Sequence, residues 1–155
     1  MGESGEEGPV VGLDRVCATP GYLIRRAHQL ATAAYVAEFG AEAVTGVQFI
    51  ALNAIIEEPG LTGVTVAERI GYDKMTTSQL IRRLEKKGLV SRSPSKTDGR
   101  EIQLWPTDEA RRVVGAIGAG MNRVADSLLA PLAPAERREF LALLKKLEDH
   151  ARKAT

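Results

Sequence analysis

The sequence predicts a mainly α fold carrying one small β-hairpin, on three observations. Apolar residues recur at three- and four-residue spacing through most of the 155 residues. Strand-like alternation appears in one place, at Leu89-Val90 and Ile102-Gln103-Leu104-Trp105, on either side of the polar stretch SPSKTDGRE. Pro-Gly pairs, lone glycines and Thr or Asp residues separate the periodic stretches, and these are the signals that stop and start helices.

Taken in order, the start of the chain (MGESGEEGP) is acidic and Gly-rich, which predicts a flexible leader over residues 1–19 ended by Pro20-Gly21. It lacks the basic-then-apolar pattern of a signal peptide. Tyr22 to Phe39 reads as a helix whose main apolar face is Leu23, Ala27, Leu30, Ala31 and Ala34. Thr45 with Gln48 three residues on is a capping box, opening a helix through Phe49, Leu52, Ile55 and Ile56 that Pro59-Gly60 stops. Thr65 and Glu68 suggest a second box, for a short helix ending at Gly71. Asp73 is placed to cap a helix running to about Lys87, with Gly88 at its C-terminal end. After the two-stranded hairpin, Thr107-Asp108-Glu109 begins a long helix to about Leu132, with Val113, Val114, Ile117, Met121, Val124 and Leu128 inward. Gly115, Gly118 and Gly120 weaken that helix and mark close packing or a bend. Pro134 suits a first helical position, and Phe140, Leu141, Leu144 and Leu147 stripe the last helix.

A chain of this length fits one domain with a core of its own. Its single cysteine, Cys17, excludes an internal disulfide and a cysteine-rich metal site. No apolar run approaches the roughly 20 residues of a membrane span, so the expectation is a soluble cytoplasmic protein. The net charge of +1 hides an asymmetry. Residues 64–105 hold nine Lys/Arg against five Asp/Glu, a net +4, while the remainder holds twelve against fifteen, a net −3. A local excess of this kind is the footprint of a polyanion-binding face, although a solvated helix surface has the same composition.

The basic stretch also carries a recognisable arrangement of side chains. Gly71-Tyr72-Asp73 is a turn short enough to join two helices as a helix-turn-helix. Projected at 100° per residue, the second of these turns Thr77, Leu80, Ile81 and Leu84 inward. Ser78, Gln79, Arg82 and Lys86 fall opposite, with Thr76 near the start and Arg83 and Lys87 at the margins. Glutamine bonds adenine bidentately, arginine bonds guanine, and hydroxyls take phosphates or base edges, so this face suits a major groove. The hairpin that follows then reads as a wing. Arg100 at its tip reaches a narrow, strongly negative minor groove, and Gly99 supplies the backbone angles of the tip. Asp98 would be repelled by phosphate and is assigned to holding Arg100 or the loop amides in place. Arg92 and Lys96 neutralise flanking phosphates.

These residues carry a resemblance. TGVQFIALNAI and TVAERIGYDKMTTSQLIRRLEKKGLVSRSPSKTDGRE are similar to the second helix, helix-turn-helix and wing of the MarR family of winged-helix transcription regulators, including the D-x-R tip. PGYLIRRAHQL and LAPAERREFLALLKKL resemble its first and last helices, so the likeness covers residues 20–155, with the winged lobe at about 45–109. Pro106 departs from the pattern, which has an apolar residue before the threonine. The resemblance implies a homodimer joined through helices at about 20–39 and 107–153, reading pseudo-palindromic double-stranded DNA, commonly as a repressor, with no cofactor. The apolar stripes on those terminal helices point the same way, being more than one small lobe can cover.

The PGYLIRRAHQ type of first helix resembles regulators of aromatic-compound catabolism, which implies an aromatic acid or its thioester as effector. Tyr22, Phe49 and Leu52 are the expected apolar walls, with Arg25 and His28 reading a carboxylate or phenol oxygen. His28 also fits an ordinary structural role on a stripe with Ile24, Ala31 and Tyr35. Oxidation sensing through Cys17 is a second reading, although VCATPGY does not resemble the sensor branch of the family and only Arg15 lies near the thiol. An enzyme would need a nucleophile and base from one cysteine and two histidines, His28 and His150, which is a thin supply. A winged helix that binds protein is the remaining rival, and it predicts apolar residues where Ser78, Gln79 and Arg82 stand.

Overall fold

The computed structural model describes residues 12–95 and 100–153. Among them the order is α1 (Leu13–Cys17), α2 (Pro20–Phe39), α3 (Gly46–Glu57), β1 (Leu61–Thr62), α4 (Gly63–Ile70), α5 (Lys74–Lys86), β2 (Val90–Pro94), β3 (Ile102–Pro106), α6 (Asp108–Leu128) and α7 (Pro134–Lys153). No helix among the described residues is long and apolar enough to cross a membrane.

Local signals set most helix starts. The capping box at α3 is formed: the Thr45 amide donates to Gln48 Oε1 at 3.0 Å, and the Gln48 amide donates to Thr45 Oγ1 at 3.3 Å. Asp73 caps α5 and Thr107 caps α6 through the same three-residue reach. Gly71 and Gly88 close α4 and α5 with φ of +70°, a left-handed conformation that glycine adopts without steric cost. Two starts differ from the reading of the sequence. The cap of α4 is Thr62, whose Oγ1 accepts from the Thr65 amide, so Thr65 is the third helical residue and not the cap. The first long helix begins at Pro20, because Thr19 caps it and proline gives up no bond at a first helical position. The segment read as a flexible leader therefore contains α1, whose end is tied to α2 by the Thr19 hydroxyl donating to the Val16 carbonyl at 2.8 Å. At the other end α6 stops at Leu128, about a turn earlier than expected.

The sheet is three-stranded, not two-stranded, in the antiparallel order β1-β3-β2. Leu61 and Thr62 pair with Leu104 and Gln103, and β2 pairs with β3 from Val90↔Pro106 to Pro94↔Ile102. The extra strand is two residues long and follows Gly60, whose φ of +96° turns the chain so that its amide donates to the Leu104 carbonyl at 2.8 Å. Pro106 deprives β3 of a donor at its last pairing. The next residue compensates, with the Thr107 amide and hydroxyl bonding the carbonyls of Leu89 and Gly88.

The core lies under this sheet, where Leu52, Ile55, Val66, Leu84 and Leu104 are almost wholly buried. The inward face of α5 is the expected one, Thr77, Leu80, Ile81 and Leu84. Helix α2 lies along α6, held by Phe39 against Gly120 and by an ion pair from Arg123 Nε to Glu38 Oε1 at 2.7 Å. The Tyr35 hydroxyl donates to the Val44 carbonyl at 2.8 Å, tying α2 to the turn before α3, and burial pushes its pKa up. Leu23 and Leu30 on α2, with Leu141, Leu144 and Leu147 on α7, remain exposed in the single chain.

Candidate nucleic-acid interface

Helix α5 and the β2–β3 hairpin stand side by side on one face of the winged lobe. Asp73 begins the arrangement: its carboxylate accepts from the Thr76 amide at 2.8 Å and the Thr76 hydroxyl at 2.6 Å. Those two bonds, the hydroxyl first, hold its pKa below the ordinary aspartate value. The Thr76 hydroxyl proton is therefore committed to the cap in this state. One turn on, Ser78 is half-buried, while Gln79, Arg82, Arg83 and Lys86 are exposed. Burial of Thr77 and Leu80 on the opposite side fixes the rotation of the helix, and that rotation turns amide and guanidinium groups outward.

Between α4, the start of α5 and the sheet lies an open crevice of about 630 Å³, lined by Thr62, Lys74, Ser78, Arg92 and Ile102 among others. Arg92 does not extend freely into solvent: its Nε sits 3.0 Å from Glu85 Oε2, across the gap between the hairpin and α5. Arg100 is exposed where the described chain resumes. Lys96, Asp98 and Gly99 lie outside the described residues, and with them the expected Asp98 support of Arg100.

Two residues of this face were absent from the reading of the sequence. Lys74 lines the crevice four positions before Ser78, a helical spacing that would have revealed it. Glu85 was passed over because its partner Arg92 sits on another element, beyond the reach of helical periodicity.

The residues expected to hold an effector are not gathered into a site within the single chain. Leu52 is 0% exposed in the core and cannot wall an open pocket, because it lies on the inward face of α3. Phe49 is half-buried against that core. Tyr22, Arg25 and His28 lie along α2, with the Arg25 guanidinium 5.2 Å from the centroid of the Tyr22 ring and His28 exposed. Neither the crevice nor a second cavity of about 560 Å³, beside Phe39, Glu42, Lys87 and Val113, is lined by any of these five. Cys17 closes α1, half-exposed.

Comparison with known proteins places this architecture. The MarR family model matches residues 44–101. The transcriptional regulator HosA of Escherichia coli is 29% identical over 104 residues, 67% of this chain and 77% of the relative. The PcaV transcriptional regulator of Streptomyces coelicolor, crystallised with its natural ligand, is 35% identical with a TM-score of 0.79, over 93% of this chain and 99% of that one. BpsR of Bordetella bronchiseptica, whose DNA binding is regulated by 6-hydroxynicotinic acid, is 27% identical with a TM-score of 0.80, over 92% of this chain and 99% of that one. The helix order, the winged sheet and these similarities agree, and the chain belongs to the MarR family of transcriptional regulators.

Proposed function

We propose that this regulator is a repressor that binds a pseudo-palindromic operator as a homodimer, and that a small aromatic acid or its thioester releases it. Helix α5 lies in the major groove, and Arg100 enters the neighbouring minor groove. The observation that carries this reading is the outer face of α5. Gln79 and Arg82 are exposed while the opposite face is locked into the core, so the base-reading groups are presented at a fixed angle. Gln79 and Arg82 read bases; Ser78, Arg83, Lys86 and Lys96 serve mainly at phosphates, Thr76 joins them only where its hydroxyl is released from Asp73, and Asp98 positions Arg100. The exposed leucines of α2 and α7 support a dimer, whose two lobes must match half-sites about 34 Å apart. Selection from a randomised duplex library tests the assignment. Gln79→Ala changes the bases preferred, whereas Lys96→Ala weakens all sequences alike and lowers the salt slope by about one unit. The same uniform loss from both substitutions refutes direct readout by α5.

The effector assignment rests on Arg25 and His28, which are exposed on α2 one turn apart, and on the likeness to BpsR, whose regulator is an aromatic acid. With Leu52 withdrawn to the core, Tyr22 and Phe49 are left as the walls. A ligand releases DNA only by binding the two lobe arrangements with different affinity. In a screen of aromatic acids and thioesters for DNA release, Arg25→Ala and His28→Ala keep DNA affinity and lose the response. Oxidation through Cys17 becomes the better reading if release needs peroxide and disappears in Cys17→Ser.

A further inference from the structure

The pair formed by Glu85 and Arg92 is unexpected on a face meant for DNA, because Glu85 brings a negative charge to the helix that carries Arg82 and Lys86. Phosphate repels such a charge, so on electrostatics alone its removal should improve binding. Its position indicates another task. Glu85 lies seven residues after Ser78, on the side of α5 that faces the crevice, and Arg92 lines that crevice from β2. Arg92 lines the crevice and Glu85 does not, so their ion pair ties β2 to α5 beside the crevice, one helical turn past Ile81, which also lines it.

We infer that Glu85 is a positioning residue: through Arg92 it sets the angle of the wing against the reading helix, so that Arg100 and Gln79 engage their two grooves together. This rests on the DNA-reading arrangement proposed above. Arg92 sits in the middle of β2, opposite Leu104, where a push is shared by both strands. Ser95, whose amide donates to the Glu101 carbonyl at 2.8 Å, is three residues further out, about 10 Å along the strand. Arg100 lies just past that bond. A pivot of about 10° at Arg92 therefore carries Arg100 sideways by about 2 Å, enough to lose a hydrogen bond whose useful range is a few tenths of an ångström. Arg92 is on this account a strut before it is a phosphate contact.

The test uses the sign of one substitution and its coupling to another. Glu85→Gln keeps the size of the side chain and removes its charge, and both members of the pair are at least a third exposed, so the fold does not depend on it. The probes are a duplex selected by the unmodified protein from a randomised library and a random duplex of equal length, each titrated by fluorescence anisotropy. Glu85→Gln is expected to weaken the selected duplex by about five- to tenfold while random duplex binds as well as before or better. In an Arg100→Ala background, where no tip contact remains to be positioned, the loss on adding Glu85→Gln should shrink to within about twofold. Tighter binding of both duplexes by Glu85→Gln overturns the inference and leaves Glu85 as a mere repelling charge. An undiminished loss in the Arg100→Ala background overturns it too. If the unmodified protein does not distinguish the selected from the random duplex, the DNA-reading proposal fails and takes this one with it.

Discussion

Gly120 offers a sharp test of how closely α2 packs along α6. A Cβ at this position would stand 2.6 Å from Cε1 and 2.8 Å from Cζ of Phe39, where ordinary contact begins at 3.4 Å. Gly120→Ala therefore requires the ring to retreat by about 1 Å. The ring has little room, because it packs against Tyr35 with centroids 4.8 Å apart, and Tyr35 is anchored in turn to the Val44 carbonyl. Overpacking of this kind costs about 1–3 kcal/mol. Against it stands the gain from removing a glycine from a helix interior, about 0.5–1 kcal/mol. The net is a destabilisation of up to about 2.5 kcal/mol, or a melting point lower by up to several degrees for a chain of this size. Gly115 is the internal control: it lies in the same helix with nothing within 4 Å of a built Cβ, so Gly115→Ala receives only the gain. The two substitutions should move the melting temperature in opposite directions, measured by circular dichroism at one protein concentration so that association does not contribute. A Gly120→Ala variant as stable as Gly115→Ala would refute the close approach of α2 and α6.

Three further expectations follow from the same structure. Arg100→Ala should weaken operator binding by about 1–3 kcal/mol with an unchanged melting temperature, and unchanged affinity would remove the wing from the DNA contact. Leu52→Ala should cost about 2–5 kcal/mol of stability in a denaturant titration, as expected for a fully buried leucine, and a merely altered effector response would return Leu52 to the ligand site. Asp73 has a depressed pKa in the folded state, so the contribution of its charge is complete above the ordinary aspartate value and fades as pH falls through the folded one. Asp73→Asn keeps a capping oxygen without the charge, so its stability relative to the unmodified protein should improve as pH falls below about 4. A stability difference that stays constant across that range would show that the charge contributes nothing to the cap.

What the sequence by itself determined are the features written in neighbouring residues. Thr45 and Gln48, Asp73 and Thr76, and Thr107 and Ala110 meet across three positions, so the helix starts they create are legible before any fold is known. The inward stripe of α5 is legible for the same reason, since helical geometry alone brings Thr77, Leu80, Ile81 and Leu84 to one side and leaves Gln79 and Arg82 on another. The MarR-like order of elements follows from these local decisions. Other features depend on residues far apart in the chain. Leu61-Thr62 becomes a strand only because residues 103–104 arrive beside it, and two residues hold no period to read. Which glycine of α6 marks close packing was settled by Phe39, 81 positions away, at Gly120 and not at Gly115 or Gly118. Leu52 looked available as a ligand wall because apolar periodicity gives the direction of a side chain but not what covers it; the core covers it completely. Arg92 looked like a free cation until the hairpin folded back against α5 and brought it to Glu85. Local hydrogen bonds and helical pitch act within a few residues, whereas packing and charge pairing act between elements whose approach only the whole fold decides.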